Sequence, residues 1–201
     1  MTLETVDLAA LQNGVEPVAE RRAFVSSDGR FTPYFRECLE EPPEFAAVGG
    51  DARVVATGSA HDFEGRLRKN SPEVIEVLTG LQRKVDAHAD ELAFVRADLD
   101  DGARTLVVSY GVSARAALQA CRAARAGGTR VSYLQLQTLF PLAATALAEA
   151  LEGVERVVVV EENLAGLYAG VLEPHLDSRE LVRVNAIGAM IPPSRIEVAL
   201  A

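Results

Sequence analysis

The stretch Thr105-Leu106-Val107-Val108-Ser109-Tyr110-Gly111-Val112-Ser113-Ala114 decides the fold. Its first six residues form an apolar run suited to a buried strand, Gly111 supplies a turn, and Ser113 stands where a helix can be capped. The helix reads through about Ala126 and stops at Gly127-Gly128. The alternation then repeats. Arg130 to Thr138 is a second strand, Pro141 to Leu151 a second helix, and Arg156 to Val160, entered through Glu155, a third strand. Its consecutive valines fit a central strand covered on both faces. Leu164 to Leu176 reads as a third helix, Leu181 to Ile187 as a fourth strand, and Pro193 or Ser194 to Leu200 as a closing helix. Strands and helices in this rhythm predict right-handed crossovers and a mostly parallel sheet between helix layers.

Upstream of this core the pattern changes. Residues 1–50 carry turn-formers in quick succession, among them Asn13-Gly14, Glu16-Pro17, Asp28-Gly29, Thr32-Pro33, Pro42-Pro43 and Gly49-Gly50. They read as an extended arm, packed on the main domain or, as the favoured reading, laid at least in part along another protein. Residues 51–201 read as one α/β domain. Ala52 to Gly58 is a short β-type run, and Ser59 to Gly65 a loop. Ser71-Pro72 starts a helix with Glu73 near its positive end, and Val74, Leu78, Leu81, Val85, Leu92 and Val95 recur at helical spacing. This predicts one long helix over 71–97, up to about seven turns, ahead of a sheet core over 103–201.

The 201 residues carry a formal charge of −9, with 49% apolar and 24% charged side chains. That balance suits a folded globular chain and excludes disorder. An acidic surface without clustered Lys and Arg argues against nucleic acid as a partner. No apolar run approaches the ~20 residues of a membrane helix, and no basic-then-apolar leader opens the sequence, so the expected address is cytoplasmic and off the membrane. Cys38 and Cys121 match no metal or redox spacing and read as reduced thiols.

Three places invite chemistry. Gly111 and Ser113 form a strand-to-helix turn of the kind that cradles phosphate, yet the glycine spacing of dinucleotide sites and the Gly-Lys-Ser/Thr ending of a P-loop are absent. An ordinary turn needs the same residues. Glu161, Glu162 and Asn163 follow the third strand, where open α/β sheets gather ligands. Two readings stand there: acid/base or Mg²⁺ chemistry by the carboxylates, or hydrogen bonds from loop amides to Glu161 with Asn163 capping the next helix. Adjacent strand residues face opposite sides, so only one carboxylate can serve any one site. His61, Asp62 and Glu64 place an imidazole among carboxylates, which suits a base or metal ligand or, as the favoured reading, a loop held by its own hydrogen bonds, since no second His stands at ligand spacing. No Gly-x-Ser-x-Gly elbow is present.

Taken in order, six segments resemble the C-terminal part of the α subunit of thiamine-diphosphate-dependent 2-oxoacid:ferredoxin oxidoreductases. They are Val55 to Gly65, Leu81 to Val85, Val108 to Arg115, Leu136 to Pro141, Val160 to Gly166, and Gly188 to Pro193. Ser27-Asp28-Gly29-Arg30 is similar to the family's lead-in segment. The chain departs from the family at Thr32-Pro33-Tyr34, where Ser-Pro-Arg is common, and at Val48-Gly49-Gly50, where Pro-Gly is usual. Thr138-Leu139-Phe140-Pro141 looks closer to 2-oxoglutarate-type members.

The resemblance implies a transketolase C-terminal-like domain: a three-layer α/β/α fold on a five-stranded, mostly parallel sheet with one antiparallel strand. It further implies a non-catalytic assembly subunit or domain, inactive alone, in a complex that oxidatively decarboxylates a 2-oxoacid to its acyl-CoA. Thiamine diphosphate, Mg²⁺ and iron–sulfur clusters would sit in partner subunits and none in this chain. The implied partners are subunits carrying the thiamine-binding domains, a CoA-handling γ-type subunit and a ferredoxin-like subunit, in a hetero-oligomer or a dimer of such assemblies. The rival reading is a free-standing ligand-binding module with a pocket near Gly111 and Glu162. A small dehydrogenase or hydrolase is the weakest of the three.

Overall fold

In the computed structural model, residues 8–9, 22–25, 30–35, 38, 41–55 and 58–200 are described. The chain divides into two units, Met1–His88 and Ala89–Ala201. The break differs from the 50/51 boundary that the turn-rich arm suggests. It falls inside the expected 71–97 helix.

The second unit holds the sheet. Its strands are β1 (Val95–Asp98), β2 (Thr105–Tyr110), β3 (Ser132–Leu136), β4 (Arg156–Glu161) and β5 (Glu180–Asn185). Their order is β1-β3-β2-β4-β5, with β1 antiparallel to β3 and every other pairing parallel. Side-chain alternation along the strands builds two apolar layers. Leu106, Val108, Val157 and Val159 face Leu147 of one helix and Ala169 and Leu172 of another. Val107, Val158 and Val160 face Ala117, Ala120 and Cys121 of a third helix and Ile196 of the last. Tyr133 lies in that second layer, fully buried, and its hydroxyl donates to the Ala114 carbonyl at 2.8 Å. The three-layer architecture and the single antiparallel strand are those expected.

The antiparallel strand is where helical periodicity misled. Helix α1 (Pro72–Ala87) ends at His88, a four-residue turn of helix, α2 (Ala89–Leu92), follows, and Val95–Asp98 is strand. Leu92 and Val95 continue a helical stripe by spacing alone. Pairing decides instead: Val95 opposes Leu136, and the Phe94 carbonyl accepts from the amides of Gln137 and Thr138. A ladder supplied by β3 outweighs a helix whose Ala89 turn has little to bury. The start of α1 is as expected, with the Ser71 hydroxyl accepting from the Val74 amide and Pro72 in the first turn. Its buried face is Val74, Val77 and Gly80, however, and Leu78 and Leu81 are exposed.

The remaining helices are α3 (Ser113–Ala126), α4 (Ala144–Ala150), α5 (Leu167–Leu172), which runs into a 3₁₀ turn at Glu173–His175, and α6 (Pro193–Leu200). Burial pushes the Cys121 thiol on α3 up to about 12. Cys38 is free and exposed.

In the first unit the described parts of the arm turn back on residues 45–66. Phe24 donates to Phe45 O and Phe45 to Arg22 O, Arg30 bridges Arg53, and Tyr34 donates to Phe63 O. Phe24 packs edge-on to Phe31, and Phe35 edge-on to Phe63. The arm was expected to lie partly along another protein; its described segments have partners within their own unit. Of the Ala52–Gly58 run, only the bridge at Arg53 has β character among the described residues. Asn13-Gly14, Glu16-Pro17, Ser27-Asp28-Gly29 and Ala56-Thr57 lie outside the described residues.

Candidate functional site

The parallel order reverses between β2 and β4, so the loops after these strands flank the crevice where sheets of this class bind ligands. Gly111 turns the chain after β2 with φ +57°, a conformation that glycine adopts without strain. Ser113 does not cap α3, which begins without a side-chain cap. Its hydroxyl reaches back, 2.8 Å from Tyr110 O, 2.9 Å from the Ser109 hydroxyl and 3.1 Å from Val160 O. That contact ties the helix to both central strands.

Glu161 ends β4 fully buried. Its Oε2 accepts from the Tyr110 hydroxyl at 3.0 Å, Asn163 Nδ2 at 2.6 Å and the Tyr168 amide at 3.0 Å. Oε1 accepts from the Ala169 amide at 3.0 Å. Burial works to raise its pKa, but the Ala169 and Tyr168 amides, Asn163 and Tyr110 outweigh it and hold the carboxyl below its usual range. Tyr110 is pushed up to about 12, first by burial and then by its hydrogen bond to Glu161 and that group's charge. A carboxylate kept ionised under such donors has no proton to deliver and is closed to solvent.

Asn163 completes the cluster. Its Oδ1 accepts from the Gly166 and Leu167 amides at 2.7 and 3.0 Å, so it caps the entry to α5 while Glu161 takes the next two amides. Glu162 is exposed, in the bend that follows β4. Of the two readings of Glu161-Glu162-Asn163, the hydrogen-bonded cap is the one with this geometry. Tyr110, Ser109 and Tyr168 belong to the cluster and were not singled out from sequence. The register could have indicated the first two: β2 pairs β4 through Ser109 and Val160, which sets Tyr110 beside Glu161.

Gly166 closes the loop with φ +67°. A Cβ there would meet Asn185 Nδ2 at 2.8 Å and Arg183 Cδ at 3.0 Å. We expect Gly166→Ala to cost about 1–2 kcal/mol from the left-handed backbone alone. The check is thermal unfolding, and an unchanged midpoint would show that the loop is not held in this conformation.

His61, Asp62 and Glu64 belong to the first unit and are not part of the Glu161 cluster. Asp62 is buried, and its carboxylate accepts from the Glu64 amide at 3.1 Å, the Arg66 amide at 2.9 Å and Arg68 Nε at 3.2 Å. Enclosure pushes its pKa up; the Arg66, Arg68 and Glu64 hydrogen bonds prevail and lower it. His61 stacks on Tyr34, ring centroids 4.8 Å apart, and Glu64 pairs with Arg66 at 2.9 Å. The three residues wall a tight turn at Gly65 (φ +77°). Among the described residues no group of three His, Cys, Asp or Glu side chains is placed to hold a metal ion. None of the described helices is long and apolar enough to cross a membrane.

Residues 103–190 match the family described as pyruvate:ferredoxin oxidoreductase core domain II. These residues, fewer than half of the chain, are similar to that domain family. The match spans β2 through the loop after β5, and so includes both the Gly111 turn and the Glu161 cluster. Among curated proteins, this chain is 31% identical over 175 residues to 2-oxoglutarate synthase subunit KorA of Methanothermobacter marburgensis, covering 87% of this chain and 46% of that subunit. It is 30% identical over 165 residues to the α subunit of 2-oxoacid:ferredoxin oxidoreductase 2 of Aeropyrum pernix, covering 74% of this chain and 24% of the relative. The resemblance read from the six segments is thereby borne out. The chain spans less than half the length of these relatives. Among solved structures it superposes on the 2-oxoglutarate:ferredoxin oxidoreductase of Magnetococcus marinus, a structure with 2-oxoglutarate, coenzyme A and succinyl-CoA bound. The TM-score is 0.72 at 18% identity, over 92% of this chain and 32% of that one, which supports the fold.

Proposed function

We propose that this chain is a non-catalytic assembly domain of a thiamine-diphosphate-dependent 2-oxoacid:ferredoxin oxidoreductase, of the 2-oxoglutarate type, acting with separate subunits that hold the cofactors. The observation that carries the proposal is the Glu161 cluster. The domain's one buried carboxylate at the switch point is spent on Tyr110, Asn163 and the first amides of α5. It stiffens the loop after β4, and Glu161, held ionised by its donors, is not free to act there as an acid.

The residues at the strand ends do not fit a diphosphate with its Mg²⁺. Glu161 is enclosed by its donors, Glu162 stands apart, and no third ligand joins them among the described residues. Two cysteines, one buried within α3, do not fit a four-thiolate iron–sulfur cluster. In this reading the chemistry of decarboxylation and electron transfer is supplied outside this domain, whose part is to hold the geometry of its partners. Partners of the kinds expected, carrying thiamine-binding, CoA-handling and ferredoxin-like domains, complete the hetero-oligomer in this reading, and the cytoplasm is its compartment.

The test is reconstitution. Purified with the proteins encoded beside its gene, the chain should elute as part of a hetero-oligomer that reduces a viologen dye only when 2-oxoglutarate and coenzyme A are both present. Alone it should show no such activity. Turnover by the isolated chain, or separate elution with full activity in the remaining subunits, would overturn the assembly role.

A further inference from the structure

Strand β1 has a neighbour on one side only. It ends the sheet, paired with β3, and among the described residues no strand lies along its outer edge. Arg96 and Ala97 in its middle are exposed, and so are Phe94 and Leu99 at its ends. A bare edge is a row of unpaired donors and acceptors that recruits another strand unless proline, a bulge or like charges blunt it. Residues 94–99 hold no proline, the register over 95–98 is unbroken, and the two charges there are of opposite sign.

The phase of the free edge follows from the paired one. Phe94 O accepts from the Gln137 amide, at the end of a register that sets Val95 against Leu136 and Arg96 against Gln135. In an antiparallel pair, residues that bond the neighbour alternate with residues that do not. Phe94, Arg96 and Asp98 therefore turn their backbone groups to β3, and Val95, Ala97 and Leu99 turn theirs outward. Asp100 continues the alternation, its amide donating to Ser132 Oγ of β3 at 3.1 Å. Side chains alternate as well: Val95 packs against the first apolar layer, with Ala97 and Leu99 on the same face and Arg96 and Asp98 on the other.

We propose that β1 pairs antiparallel with β1 of a second copy of this chain, about a two-fold axis at Ala97. Outward-facing residues can bond only outward-facing residues, so the axis within the strand falls at Arg96, Ala97 or Asp98. At Arg96 it would oppose two guanidiniums and at Asp98 two carboxylates, both unfavourable. At Ala97 it sets Arg96 of each copy against Asp98 of the other, at the closer, non-hydrogen-bonded positions, and Val95 against Leu99. Arg125 holds Asp98 Oδ1 at 2.8 Å, and Oδ2 takes no bond among the described residues, so it is open to the second copy's guanidinium. Arg96 forms no ion pair among the described residues. The formal charge of −9 opposes self-association, but such repulsion is screened beyond about 8 Å at physiological ionic strength, whereas the crossed pairs are in contact. This pairing does not depend on the assembly role or on any other subunit.

Sedimentation velocity of the full chain across micromolar concentrations is the test. We expect a reversible monomer–dimer equilibrium, as suits a small contact. Arg96→Glu opposes carboxylates at both crossed pairs and Asp98→Lys opposes cations, so each should weaken the dimer about tenfold or more. Mixed in equal amounts, the two variants should dimerise as the parent does, because each then meets the opposite charge at both positions. A strand that was merely damaged would show no such recovery. Circular dichroism checks the fold of each variant. If Asp98→Lys fails to fold for want of its bond to Arg125, Ala97→Cys takes its place and should oxidise to a covalent dimer joined at position 97, mapped by mass spectrometry apart from the exposed Cys38. The proposal is overturned by a parent that stays monomeric, by a dimer that Arg96→Glu leaves unchanged, by folded variants that do not recover on mixing, or by a cross-link that spares position 97.

Discussion

Glu161→Ala is expected to lower the stability of the sheet unit by about 3–5 kcal/mol, more than any other single change at the strand ends. Hydrogen bonds to a buried charge are worth about 1.5–3 kcal/mol each and do not add fully. Four of them converge on this carboxylate, and truncation leaves two buried amides and two part-buried side-chain donors without this acceptor. Urea denaturation followed by circular dichroism measures the loss. A change below about 1 kcal/mol would show that the cluster is not needed for the fold.

Glu161→Gln separates charge from shape through its pH dependence. The folded pKa of Glu161 lies below its usual 4.5. Its contribution is therefore fully present above the unfolded value and is lost as pH falls from about 4.5 through the folded value. The parent should lose stability across that window, and the glutamine variant should lose less. Asp62, also lowered, acts in the same direction in the first unit and is common to both proteins.

Tyr133→Ala should cost about 3–5 kcal/mol, the range for truncating a buried aromatic side chain. Tyr133 is fully enclosed in the layer shared with Ala117, Ala120, Cys121 and Val158, which are too small to close over the space it fills. Tyr133→Phe keeps that volume and loses only the hydroxyl's bond to Ala114 O, for an expected cost of about 0.5–1.5 kcal/mol. Equal losses in the two variants would mean that the hydroxyl, not the packing, carries the effect.

The parallel core was legible because strand and helix periods are local signals. Thr105 to Tyr110 and Arg156 to Val160 announce themselves, and the turn residues Gly111 and Gly127-Gly128 bound the helix between them. Val95–Asp98 was not legible, since its strand identity comes from β3, which lies some 40 residues further along the chain. The same limit applied at the site. Glu161 and Asn163 could be read as a cap from their order in the chain, whereas Tyr110 joins them only through the register of β2 on β4. Ser113 followed the rule for helix starts in type but not in role, because its hydroxyl found strand carbonyls nearer than helix amides.

The borrowed start of α5 ties the stability of that helix to the strand before it. A helix of six residues is too short to nucleate in water. The groups that would organise its first turn come from β4 and from the loop before it, Glu161 holding the Tyr168 and Ala169 amides and Asn163 those of Gly166 and Leu167. Helix α5 is therefore expected to be stable only when β4 is in place to present Glu161 to its amides. The amide protons of Tyr168 and Ala169 are then released to exchange when the central sheet opens, so the helix and the two central strands behave as one cooperative folding unit.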